Sequence, residues 1–159
     1  MEALALGEIA RGLVGVGPII EIGTLFGRST QVLALFKARE RELITIDNYS
    51  WNPFGMPSEL HKEITLNILN KSVSHLDVSV VDCDSKKFLT QYTGEAPALV
   101  FIDASHEYSD VSAEIAISKS LGAAVICGHD YDEIKCPGVV RAVKEHGGAR
   151  HLYGRIWVL

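Results

Sequence analysis

Nowhere in the 159 residues does an apolar run reach about 18 residues, so no membrane-spanning helix is expected. Positive charge is scarce: 15 Lys and Arg stand against 20 Asp and Glu, for a net charge of −5. That balance argues against nucleic acid or an anionic membrane surface as main partner. Cysteine is sparse too. Cys83, Cys127 and Cys136 form no CxxC pair and, being three, cannot all be bridged within one chain. A reducing cytoplasm is the expectation, with Cys83 and Cys127 packed as small apolar side chains and a catalytic thiol as the minor alternative. The N-terminal "MEALALGEIARGLVGVG" lacks a basic stretch ahead of its apolar part and carries Glu2 and Glu8. It reads as a short helix over residues 1–17 rather than an export signal. No repeat, low-complexity tract or linker divides the chain, so a single domain is expected over 1–159.

What is present is a regular alternation. Short apolar runs, "PIIEIG", "ELITID", "LDVSVVDCD", "ALVFIDA" and "AAVICGHD", are each followed by a helical pattern. Pro137 suits the opening of the last helix and Gly147-Gly148 its close. The tail "ARHLYGRIWVL" reads as two short strands around Gly154. Nearly unbroken apolar strands alternating with helices predict a doubly wound α/β fold, a mostly parallel sheet covered on both faces. Such folds bind ligands beyond the carboxyl ends of their strands. Here those ends carry acids in succession: Glu21, Asp47, Asp84, Asp103 and, after His129, Asp130. Each alone is as readily a helix cap or a turn residue. Together they predict a functional rim.

The first turn narrows the ligand. "EIGTLFGRST" has Gly23 and Gly27 but lacks the middle glycine of GxGxxG, so backbone approach to a pyrophosphate is not provided. Glu21 within the first strand would also repel two phosphates. A carboxylate there suits a cationic ligand such as S-adenosylmethionine, whose own carboxylate can take amides at the helix start. A nicotinamide-dependent oxidoreductase is the weaker enzyme reading. A non-catalytic binding module is the alternative outside catalysis.

Taken in order, "EIGTLFGRST", "ITIDNYSW", "DCDSKKFL", "FIDASHEYSD" and "VICGHDY" resemble class I S-adenosylmethionine-dependent methyltransferases. The likeness is greatest to the branch of macrocin-type sugar O-methyltransferases and cephalosporin hydroxylase-like proteins, with catechol-type O-methyltransferases as cousins. It runs from about Pro18 to the C-terminus. It implies a Rossmann-like, seven-stranded methyltransferase sheet whose last strand, "RIWVL", is antiparallel. It implies cofactor contacts from Glu21, Gly23, Thr24, Gly27, Ser29, Asp47, Asn48, Asp84, Ser85 and Asp103. Within that set Asp47 would hold the ribose hydroxyls, and Asp84 with Ser85 the adenine. Asp84 as a mere cap of the next helix is the plain alternative.

The same resemblance implies catalysis by Asp103 and His106, the histidine as general base toward a hydroxyl, since imidazole titrates near neutral pH. His129 is a second candidate base, or an orienting residue. A divalent cation, usually magnesium, is implied at Asp103, His129 and Asp130. Some relatives carry Glu where this chain has His129, and imidazole is a poor magnesium ligand. The segment 48–63, with Trp51, Phe54 and Met56, is expected to cover a small hydroxylated acceptor, whether sugar, phenol or catechol. Only about 17 residues precede the first strand, where catechol-type relatives carry extra helices. The pocket is therefore expected to be open, to take a large acceptor, or to be closed by a second copy in a homo-oligomer.

Overall fold

The computed structural model describes residues 1–51 and 55–159. Seven strands form one sheet in the order β3-β2-β1-β4-β5-β7-β6. These are β1 (Ile19–Ile22), β2 (Leu43–Asp47), β3 (Val78–Asp82), β4 (Leu99–Ile102), β5 (Val125–Gly128), β6 (His151–Tyr153) and β7 (Ile156–Val158). The first five pair in parallel, and β7 runs antiparallel to both β5 and β6. The hairpin expected around Gly154 is present, and that glycine takes φ 65° at the bend. Six helices are described: α1 (Glu2–Arg11), α2 (Arg28–Phe36), α3 (Ser58–Ser72), α4 (Ser85–Gln91), α5 (Tyr108–Ser120) and α6 (Pro137–Glu145). Pro137 opens α6, as its preset φ and missing amide favour.

Alternation along the central strands sorts the core into two layers. Ile20, Ile22, Ile44, Ile46, Val100 and Ile102 pack against Leu89 of α4, Val111 and Ile115 of α5, and Val143 of α6. On the opposite face, Ile19, Leu43, Leu99 and Phe101 pack against Leu6 of α1, Leu33 of α2 and Leu69 of α3. Full burial of one such aliphatic side chain is worth about 1.5–3 kcal/mol, so these positions dominate folding. Cys127 is buried in the second layer and Cys83 packs against the first. All three cysteines are free thiols.

The chain winds outward one way through β1, β2 and β3 and the other way through β4 and β5. The loops leaving β1 and β4 therefore diverge and open a crevice over the strand tips. Among the described residues no helix is long and apolar enough to cross a membrane.

Candidate functional site

A cavity of about 1030 Å³ lies across the carboxyl ends of the strands. Its floor includes Gly23 and Thr24 after β1, Asp47 at the end of β2, Asp84 after β3, Asp103 after β4 and Asp130 after β5. Glu2 and Leu6 of α1, Trp51, and His61 of α3 contribute walls. Four of the five expected acids thus share one cavity. Glu21 does not line it.

Strand alternation explains Glu21. Its register partners are Thr45 on β2 and Phe101 on β4, so it points, like Ile19, toward the layer that holds α2. There it is fully buried. One carboxyl oxygen accepts from Thr30 Oγ1 at 2.5 Å and Thr45 Oγ1 at 2.6 Å, while Oε1 has no partner. Desolvation pushes its pKa up to about 7, against the hydroxyls of Ser29, Thr30 and Thr45. A 2.6 Å contact between the Thr45 and Thr24 hydroxyls carries this network to the cavity wall. Glu21 thus acts beneath the turn rather than at its mouth.

The turn itself is clamped from two sides. Asp47 Oδ2 accepts the amides of Thr24 (3.0 Å) and Leu25 (2.8 Å), and Oδ1 accepts that of Tyr49 (2.8 Å). From α3, Thr65 donates to the Leu25 carbonyl at 2.5 Å and His61 Nε2 lies 3.1 Å from it. Gly27 packs against Leu69, away from the cavity, and caps α2 at φ 77° with no side-chain cap. The open first turn of α2 presents Arg28 and Ser29 to the cavity. Asn48 also lines it, its Oδ1 accepting from Ser50 N at 3.0 Å.

At the β3 end, Asp84 caps α4 by accepting from Lys87 N at 2.9 Å. Its plain role as a cap is therefore real, and it faces the cavity as well. Ser85 donates to Glu114 Oε1 at 2.6 Å.

The opposite end gathers imidazoles and carboxylates. His106 Nε2 lies 2.8 Å from Asp130 Oδ2, and Arg155 Nη1 donates to Asp130 Oδ1 at 3.0 Å. His129 Nδ1 sits 3.3 Å from Asp130 and 3.7 Å from Asp103, and its Nε2 is 3.2 Å from Glu2. Hydrogen bonding to Asp130, with Asp103 and Glu2 close by, pushes His129 up to about 9 against partial burial. His129 is thus an imidazolium at neutral pH. Asp130 is held low by the same partner. Asp103 keeps 28% of its side-chain surface open, yet desolvation pushes it up to about 7, against the pull of His129. Asp130 takes φ 57°, a left-handed conformation that Asp tolerates better than most residues.

Residues 20–131 match the family described as the methyltransferase domain. This chain belongs to that family. No curated protein matches it. Among solved structures, it resembles CalS11, a TDP-rhamnose 3'-O-methyltransferase of calicheamicin biosynthesis, at 20% identity and TM-score 0.68, covering 99% of this chain and 77% of the other. It resembles an O-methyltransferase from Bacillus cereus in complex with SAH at 22% identity and TM-score 0.66, covering 91% and 66%. TomG from Streptomyces achromogenes, an O-methyltransferase of tomaymycin synthesis in complex with SAM, gives 24% identity, TM-score 0.67, and coverage of 91% and 66%. At such identities these structures speak for the fold, which is the methyltransferase sheet with its antiparallel β7.

This methyltransferase domain brings two ligand-like groups together, Asp103 with His129 and Asp130, and His106 with Asp130 and Cys136. Their donor sets do not fit magnesium. Asp130 pairs with Arg155 through Oδ1 and with His106 through Oδ2, so an ion there would share both oxygens with those side chains. Each group mixes imidazole with carboxylate, and one adds a thiol, a donor set that suits a softer divalent ion better than magnesium. A hard divalent ion wants oxygen ligands and retained waters, and here only Asp103 and Asp130 offer oxygens among the grouped residues.

Sequence reasoning missed Glu2, His61, Glu114 and Arg155. Glu2 and Arg155 lie 153 positions apart, joined where Arg155 N donates to Glu2 Oε1 at 2.8 Å, and nothing local signals that. Glu114 had a signal. It shares the buried stripe of α5 with Val111, Ile115 and Ser118, and a carboxylate at such a position calls for a partner. Phe54, expected in the substrate cover, lies outside the described residues. Trp51 lines the cavity while 62% exposed, and the helical part of the 48–63 segment begins at Ser58.

Proposed function

We propose that this chain is an S-adenosylmethionine-dependent O-methyltransferase that methylates a hydroxyl of a small molecule, working as one domain and without a metal step. The observation that carries the reading is the His106–Asp130 pair, 2.8 Å apart, at one end of a strand-tip cavity in a methyltransferase domain. The donor set suits the cofactor. Acids at the tips of β2, β3, β4 and β5 favour a ligand bearing an ammonium and a sulfonium, and the uncapped start of α2 offers amides to its carboxylate. Asp47 spends both oxygens on backbone amides, but carboxylate oxygens have spare lone pairs for ribose hydroxyls.

When bound, the cofactor supplies an electrophilic methyl group. The rest falls to the chain's own residues. His106, with Nε2 donating to Asp130, keeps Nδ1 as an acceptor for the acceptor molecule's hydroxyl proton as the oxygen meets the methyl carbon. Asp130 then faces the imidazolium that forms and stabilises it. His129, its pKa raised to about 9, is the poorer base; with Arg155 it places positive charge beside the developing alkoxide. Holding oxygen and methyl group close and in line is the largest contribution, worth up to about 7–11 kcal/mol. Trp51 at the cavity wall supplies apolar cover for the acceptor.

The test is methyl transfer from labelled S-adenosylmethionine to a panel of sugars, phenols and catechols, with and without a chelator. Turnover unaffected by the chelator is expected. His106→Ala should lower kcat by about 10²–10⁴-fold while leaving affinity for S-adenosylhomocysteine within about twofold. Cofactor binding with no transfer to any acceptor would favour the non-catalytic module.

A further inference from the structure

Cys136 has no place in the chemistry above, yet two features of the fold bring its sulfur to His106 and Asp130. The loop after β5 is tightly wound. Asp132 Oδ1 accepts the amides of Ile134 at 3.0 Å and Lys135 at 2.9 Å, and Cys136 N donates to the Asp132 carbonyl at 2.9 Å. Cys136 then starts α6. The first turn of α6 meets the loop after β4 at Gly138, where a Cβ would run into the His106 carbonyl. Glycine permits that approach. As a result a ring nitrogen of His106, a carboxylate oxygen of Asp130 and the Cys136 sulfur all lie within 4.8 Å of one another. The carboxylate is also oriented from behind, with Oδ1 held by Arg155 while Oδ2 turns to His106, as carboxylates that bind metals commonly are.

We propose that His106, Asp130 and Cys136 form a zinc site that switches the methyltransferase centre off. This set shares only Asp130 with the magnesium position that the family resemblance implies, and it alone includes sulfur. Imidazole, carboxylate and thiolate leave the fourth tetrahedral position to water, and the thiolate selects zinc over magnesium. As the zinc–sulfur bond forms, the thiol proton passes to solvent, and the two anionic ligands balance the ion's charge. Asp132 beside the sulfur favours the ion, whereas Arg155 and Lys135 oppose it. The switching rests on the function proposed above. A neutral imidazole bound to metal through Nε2 carries its proton on Nδ1, the atom that has to accept the hydroxyl proton.

Titrating the metal-stripped chain with Co²⁺, then with Zn²⁺ or Mg²⁺, tests the site without any turnover. Wild type should show thiolate-to-cobalt charge-transfer absorption and tetrahedral ligand-field bands, which Zn²⁺ removes and Mg²⁺ does not. Cys136→Ala should lose the charge-transfer band. His106→Ala should weaken cobalt binding by at least about 10–100-fold, the loss typical even of a residue behind a ligand. Asp103→Asn should keep both band and affinity. A wild type without the band overturns the site, as does a band that survives Cys136→Ala, or binding lost in Asp103→Asn but kept in His106→Ala. If Cys136→Ala fails to fold, His106→Ala, at a half-exposed position, decides alone. Equimolar Zn²⁺ should silence methyl transfer by wild type, reversibly on chelation, and leave Cys136→Ala active. Zinc bound with turnover undiminished overturns the switch. A chain that binds zinc in this way but methylates no acceptor overturns the proposed function and the switch with it, and leaves the site standing.

Discussion

Asp130 faces two imidazoles that differ in what else holds them. His106 has its side chain 48% exposed, while His129 is 19% exposed and sits among Glu2, Asp103 and Asp130. The crowd of acids raises His129 from 6.5 to about 9. A base whose pKa rises on folding stabilises the native state fully below its unfolded value, and that stabilisation fades as pH climbs through the folded one. Thermal stability of wild type should therefore decline between pH 6.5 and about 9, and His129→Gln should flatten that limb in a series of melting curves. Glu21 works in a lower window. Its carboxyl is raised from 4.5 to about 7, so the native state is favoured with Glu21 protonated, and stability is lost as pH rises through that range. Glu21→Gln should remove Glu21's share of that pH dependence, with Asp103 and Glu114 titrating across the same range. A Gln variant with an unchanged profile would mean that Glu21 is not the group titrating.

The tips of β1 and β4 meet at a single glycine. Gly23 holds φ 97°, and a Cβ there would run into the Asp103 carbonyl. Gly23→Ala should lower the free energy of unfolding in urea by about 1–3 kcal/mol from backbone strain, with the clash adding to it. Because Asp103 is displaced, affinity for cofactor should fall too. Much at this scale was legible in the sequence. The central strands β1, β2 and β4 are largely apolar runs buried on both faces, and Pro137, Gly147 and Gly148 bound α6 as their torsions require. The acids at four strand tips were legible because topology alone delivers them to one edge. Glu21 was misplaced at the mouth because its neighbours Ile20 and Ile22 mark a strand without saying which layer the odd positions face. The pairing Glu21–Thr30–Thr45 settles that, and Thr45 is on another strand. Glu114 and Arg155 were overlooked for a similar reason: their partners Ser85 and Asp130 are 29 and 25 residues away, and helix or strand period carries no information over such spans.

Across the whole molecule, charge arranges the cavity. The chain carries a net −5, and the acids at the strand tips concentrate that sign where the crevice opens, with Arg155 and His129 countering it at the β5 end. Since those two cations already meet Asp130 and Asp103, chelation should change neither turnover nor melting temperature, whereas a site built around magnesium would lose both. In the proposed function this acidic crevice, lacking a pyrophosphate turn, takes an adenosyl cofactor of the methionine type. Titration calorimetry of the purified chain with S-adenosylhomocysteine and, separately, with NAD tests this most directly. Saturable binding of the first and none of the second is expected; binding of NAD alone, or silence toward S-adenosylhomocysteine at millimolar concentration, would contradict that reading.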